Sequence, residues 1–111
     1  MTEYAELLQR IERLSARADG PRADGTLLSE IEDVLAEGYM RALTEEALSR
    51  RLADRLDELA LTIDQPGASL EARRLAAQRR SLDGRIITLR DRLTTVREQF
   101  IRLGGGQSVP S

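Results

Sequence analysis

The sequence predicts an all-α fold: a long antiparallel two-helix hairpin with coiled-coil-like spacing, preceded by a short N-terminal third helix. Aromatic residues make up only 3% of the 111 residues and Trp is absent, so Ala and Leu must fill the interior. Apolar residues recur at alternating steps of three and four over long stretches, which is typical of one face of a helix. A single short turn, DQPGAS, separates the two longest stretches. We therefore expect one helical domain over residues 1–103.

The first helix is predicted over residues 3–18. Thr2 is a candidate N-cap with acidic residues in the following turn. Gly20-Pro21 ends the segment, because proline cannot donate the next backbone hydrogen bond. The apolar stripe comprises Tyr4, Leu7, Ile11, Leu14 and Ala18.

The middle helix is predicted over residues 27–64, and its centre is poor in apolar residues. The heptad stripe comprises Leu28, Ile31, Leu35, Leu52, Leu56, Leu59 and Ile63. Between its two halves the stripe positions hold Gly38, Ala42, Glu45 and Ser49, which are small or polar. A break at Gly38, with Thr44 as a new cap, is one interpretation. We favour a continuous helix, because the heptad phase is unchanged across the gap.

The last helix is predicted over residues 69–103, with Ser69 as its cap and Glu71 in its first turn. Three glycines from Gly104 end it, so residues 104–111 are predicted to be a flexible tail. The stripe keeps one heptad phase with a single polar member: Ala72, Leu75, Arg79, Leu82, Ile86, Leu89, Leu93, Val96, Phe100 and Leu103.

Turn chemistry and charge both indicate a hairpin. Asp64, Pro66 and Gly67 supply the residues of a tight turn between two helices of matched length, and they form the predicted hairpin tip. Residues 1–65 carry 8 Arg and 15 acidic residues, whereas residues 66–111 carry 9 Arg and 4 acidic residues. Such halves attract one another when the chain folds back on itself.

This arrangement places particular charges side by side. We expect Arg97 to lie level with Glu37, and Arg102 level with Glu30 and Glu32. Exposed pairs of this kind set register more than they stabilise the fold.

Five apolar side chains off the heptad stripes form a candidate self-association patch: Met40, Leu43, Ala47, Leu48 and Ile87. They lie at the level where the stripe of the middle helix is weakest. An apolar patch left over on a small helical protein is typical of self-association, so we expect a homodimer and allow for an unidentified protein partner. The alternative is that helix curvature buries these side chains within the chain.

An arginine-rich segment, EARRLAAQRR, is a candidate site for phosphate or partner contacts through Arg73, Arg74, Arg79 and Arg80. The net charge of −2 and the lack of nearby aromatic residues argue against nucleic-acid binding. Acidic residues expected at the same level, Asp54, Asp57 and Glu58, favour arginines that are paired within the chain. An acidic hairpin tip can also enter a channel of a partner such as RNA polymerase, although Asp64 alone more often shapes the turn.

The residue types present restrict the chemistry. Without Cys or His the chain has no disulfide, no thiolate or imidazole zinc site, no thiol nucleophile and no histidine base, and we predict no cofactor. No apolar run reaches the roughly 20 residues of a membrane span, and the N-terminus is unlike a signal peptide, so we expect a cytoplasmic protein without membrane contact.

The sequence-based expectation for function is a non-enzymatic helical interaction or scaffold module that acts by coiled-coil-type self-association and partner binding. The alternatives are a regulator that contacts nucleic acid or RNA polymerase through the arginine-rich helix or the tip, and a small all-helical enzyme that uses Arg and Glu side chains.

Overall fold

A computed structural model describes residues 3–20 and 25–104. These residues form three helices and no strand: α1 at Tyr4–Ala18, α2 at Gly25–Leu61 and α3 at Ala68–Arg102. The predicted all-α fold, with α2 and α3 as a hairpin and α1 as a short third helix, is confirmed. The proposed cap Thr2, Pro21 and the tail beyond Gly104 lie outside the described residues.

The turn between α2 and α3 is longer than predicted. Backbone hydrogen bonds run from Gln65 N to Thr62 O at 2.9 Å and from Ala68 N to Gln65 O at 3.2 Å. Ile63, which we predicted in the buried stripe, therefore lies in the turn with an exposed side chain. Ser69 lies inside α3, so its predicted role as the cap is wrong.

Helix α2 runs through Gly38 without a break, as the unchanged heptad phase predicted. Gly38 is buried, and a Cβ atom built there would lie 3.3 Å from Cγ of Leu93 on α3 and closer still to both methyl groups. The glycine is therefore required by a close approach of α3 and does not end the helix.

Two compact sections share these helices. The three-helix section comprises the described residues up to Arg41 together with those from Leu89 onward, and it contains all of α1. Its buried side chains on α2 include Leu27 and Val34, which lie off the predicted stripe, while the predicted Leu28 is only half-buried. A helix that packs against two neighbours buries a wider face than a two-helix heptad stripe, which explains the difference. The largest fully buried side chains among the described residues lie here: Leu7, Ile11, Leu27, Ile31, Val34, Leu89, Leu93 and Val96.

Buried Gln99 links α3 to the C-terminal end of α1. Its Nε2 donates to Asp19 Oδ1 at 2.8 Å and to the carbonyl oxygen of Ser15 at 3.1 Å, and its Oε1 accepts from Ser15 Oγ at 2.8 Å. Its side-chain amide is thus fully engaged at both ends, which suits its burial. Gln99 was not singled out from the sequence.

The ion pairs of the three-helix section differ from those predicted. Arg10 on α1 pairs with Glu37 at 2.8 Å, and Arg17 on α1 pairs with Glu30 at 2.7 Å. Arg97 and Arg102 of α3, which we expected level with these glutamates, form no ion pair with them within the described residues. Helix α1 lies along α2 and supplies the arginines instead.

The hairpin section, residues 42–88, has only two helices and a thin interior. Its buried apolar side chains are Ala42, Leu59, Ala68, Leu82 and Ile86. Three leucines of the predicted stripes, Leu52, Leu56 and Leu75, remain half-buried. The ion pair between Arg55 Nη2 and Glu71 Oε2, at 3.2 Å, fixes the antiparallel register near the tip. Within the described ranges, no helix combines the length and apolar character needed to cross a membrane.

Candidate interaction surface of the hairpin section

Polar side chains occupy the middle of the interior of the hairpin section. Ser49 of α2 is buried and donates from Oγ to Asp83 Oδ1 of α3 at 2.6 Å. Arg79 Nε donates to Ser49 Oγ at 3.2 Å and lies 3.7 Å from Asp83 Oδ2. One turn earlier on α2, Glu45 is also buried, and its Oε2 lies 3.7 Å from Nη2 of Arg85. These five residues are the polar network of the hairpin section.

The polar network weakens the hydrophobic contribution of this interior. The carboxylate of buried Glu45 loses hydration, and this desolvation opposes its attraction to half-exposed Arg85. The sequence indicated Glu45, Ser49 and Arg79 as polar stripe positions but did not reveal Asp83 and Arg85 as their partners. The only signal available was the spacing of Arg79 and Asp83, which are four residues apart on one helix face.

Most of the predicted self-association patch is exposed. Within the hairpin section, Leu43 is 56% and Ile87 is 69% exposed, Leu48 is also exposed, and Ala47 is half-buried. Met40 is exposed too, but it belongs to the three-helix section. Helix curvature within the chain does not bury these large side chains, so that alternative is wrong for them.

The patch is not one continuous surface. Leu48 is five positions after Leu43, which places the two side chains roughly 140° apart around α2 at 3.6 residues per turn. Leu43 and Ala47, four residues apart, lie on the same side of α2 and away from buried Ser49. Ile87 lies roughly 140° from buried Leu82 around α3. We therefore use the name outer patch for Leu43, Ala47 and Ile87 only.

The four arginines of the EARRLAAQRR segment do not act together. Arg79 is half-buried and belongs to the polar network, whereas Arg73, Arg74 and Arg80 are exposed. Within the described residues, these three arginines form no ion pair with the acidic residues of α2 that we expected at their level. In the same ranges Asp54 and Asp57 are exposed without an ion pair, and Glu58 lies 4.0 Å from Arg55 of its own helix.

The hairpin tip is exposed at Asp64, Pro66 and Gly67, as a solvated turn requires. Gly67 has φ of 83°, a left-handed conformation that favours glycine. Three large apolar side chains near the tip are exposed as well, Leu61 at 86% together with Ile63 and Leu70. The periodicity predicted that Ile63 would be buried and gave no signal for the other two.

The described residues contain no group of three or more acidic side chains arranged to hold a metal ion. In comparisons with known proteins, no family model matches the chain, and no curated protein or solved structure is significantly similar to it.

Proposed function

We propose that this protein is a non-enzymatic helical interaction module that forms a homodimer through its hairpin section. The observation that carries the proposal is the exposure of Leu43 and Ile87 beside an interior that is itself thin and polar. Two helices bury one narrow face each, and such burial rarely offsets the conformational entropy lost when about 50 residues become ordered. A second copy of the hairpin section would supply the missing apolar contacts.

The charges of the hairpin section favour association with a second copy of itself. Residues 42–65 carry three arginines and six carboxylates, a net charge of −3, and residues 66–88 carry five arginines and two carboxylates, a net charge of +3. The section is neutral overall, so two copies meet without net repulsion. Each copy also offers one acidic and one basic helix, which suits a four-helix bundle with α2 against α3 of the partner copy.

The test of self-association is sedimentation equilibrium of the full chain at micromolar concentrations. We expect a dimer for the unmodified chain and a monomer of lower melting temperature for the double variant Leu43→Glu, Ile87→Glu, because carboxylates in an apolar interface are not solvated. The matched control is Ile101→Glu, which alters an exposed apolar residue of α3 outside the hairpin section and should leave the dimer intact. A stable, fully helical monomer of the unmodified chain would refute the proposal.

A second candidate function, contact with nucleic acid, draws support from one observation only. Arg73, Arg74 and Arg80 are exposed and form no ion pair within the described residues, so their charges are available to phosphates. Binding of labelled single- and double-stranded oligonucleotides should then weaken steeply as salt rises. Failure to bind at low salt would remove this candidate. Loss of binding in Arg73→Gln, Arg80→Gln with Arg97→Gln as the control would support it.

A further inference from the structure

The hairpin section carries two sets of charges that lie near one another along the hairpin and do not pair. Asp54 and Asp57 on α2 are exposed, as are Arg73 and Arg80 on α3, and none of them forms an ion pair within the described residues. Their levels follow from contacts that do form: Arg55 pairs with Glu71, and Ser49 bonds to Asp83. The carboxylates and arginines therefore match in height, but they point away from the interface between their own helices.

Helical rotation explains why these charges miss one another. Asp54 lies roughly 140° from Ser49 around α2, and Arg80 lies roughly 160° from Leu82 around α3. Ser49 and Leu82 are buried between the two helices, so residues at such angles face outward. The same sides of the helices carry the outer patch, with Leu43 and Ile87 at one level, since Glu45 pairs with Arg85. Each helix thus presents an apolar position farther from the tip and a charged position nearer to it.

We infer that two copies of the hairpin section pair about a two-fold axis parallel to the hairpin, with α2 of each copy against α3 of the other and both tips at the same end. This inference rests on the proposed homodimer and specifies its geometry. Such an axis leaves every residue at the same distance along the hairpin. Leu43 therefore meets Ile87 of the second copy. Nearer the tip, Asp54 and Asp57 meet its arginines at positions 73 and 80. These four charges of one copy then face charges of opposite sign on the other, and the net charge of −3 on residues 42–65, which include exposed Arg50 and Arg51, lies against +3 on residues 66–88.

The other two-fold arrangement that stacks the two hairpins face to face fits less well. Its axis is perpendicular to the hairpin, so α2 lies on α2, α3 lies on α3 and the tips are at opposite ends. It sets a helix of charge −3 against its copy and a helix of charge +3 against its copy. The parallel axis instead places the acidic helix of each copy against the basic helix of the other.

Charge reversal tests the α2-to-α3 contact in the full chain. The first variant is Asp54→Arg, Asp57→Arg and the second is Arg73→Asp, Arg80→Asp. Each alone should raise the dimer dissociation constant by at least about tenfold in low salt, since like charges then face each other. The chain that carries all four substitutions should regain the affinity of the unmodified protein. These side chains make no ion pair within the described part of their own copy, so the helical circular dichroism of the variants should be unchanged.

Tip position is tested by the variant Gln65→Cys, which places one thiol in a chain that has none. With both tips at the same end, mild oxidation should cross-link the dimer through the two introduced thiols, and spin labels attached to them should report a short distance. Tips at opposite ends would be separated by roughly 30 Å, the rise of the 20 residues of α2 before the tip, and would not cross-link. The control is Ser81→Cys, an exposed position far from the tip.

The outcomes separate this inference from the proposed function. A monomeric unmodified chain removes both. A dimer whose tips stay apart, or whose affinity is insensitive to the first charge reversal, overturns the parallel arrangement and leaves the homodimer standing. A dimer that cross-links at the tip and regains affinity only with all four substitutions supports it.

Discussion

The same substitution, glycine to alanine, should have different effects on stability at two helical positions of this protein. Gly38 lies in α2 and Gly84 in α3, each far from a helix end. A Cβ atom at Gly84 meets no atom within 4 Å, whereas a Cβ atom at Gly38 would overlap the side chain of Leu93. Comparing the two variants therefore separates the effect of helix propensity on stability from the effect of packing.

The magnitudes follow from these two surroundings. Replacing a helical glycine by alanine stabilises a helix by about 0.8–1.0 kcal/mol, and at Gly84 nothing opposes this gain. At Gly38 the new methyl group must displace the side chain of Leu93, which is fully buried, and close-packed interiors leave little room for such a shift. Overpacking of this kind costs about 1–3 kcal/mol, which cancels or exceeds the gain in propensity. We expect Gly84→Ala to be more stable than Gly38→Ala by about 1–3 kcal/mol.

Urea denaturation followed by circular dichroism measures this difference, with all proteins at one concentration because association would shift apparent stability. In thermal unfolding, 1 kcal/mol corresponds to about 4–8 °C for a domain of this size. The substitution Leu93→Ala should also cost less in the Gly38→Ala background than in the unmodified chain, because it removes the overlap. Equal stability of the two glycine variants would refute the close approach of α3 to Gly38.

Three further changes have expected outcomes. Glu45→Leu should stabilise the protein by about 1 kcal/mol in urea denaturation, because the buried carboxylate is removed and half-exposed Arg85 stays solvated. A loss of stability would show that the ion pair contributes more than its desolvation costs. Gln99→Leu should lower the free energy of unfolding by about 1–3 kcal/mol, because it leaves polar groups of Ser15 without their partner. Amide hydrogen exchange should then accelerate more in α1 than in α2. An equal change of exchange in the two helices would contradict this role of Gln99. Gly67→Ala should cost about 1–2 kcal/mol through backbone strain alone, since a Cβ atom there meets nothing, and an unchanged melting temperature would contradict the left-handed turn.

The sequence by itself determined the number, order and approximate extent of the helices. Heptad spacing is a local property of each helix, so the apolar stripes and the continuity of α2 through Gly38 could be read from residue intervals. The Pro66-Gly67 turn likewise predicted the hairpin, because its backbone preferences act within a few residues. The exposure of Leu43 and Ile87 followed from their positions off the stripes.

Only the tertiary structure decided which side chains meet. Periodicity places a residue on a face of a helix but does not say which neighbour lies against that face. For this reason Glu30 and Glu37 were assigned to arginines of α3, whereas α1 lies closer and supplies Arg10 and Arg17. Contacts between segments distant in the chain depend on how three helices share one interior, and no residue interval records that packing.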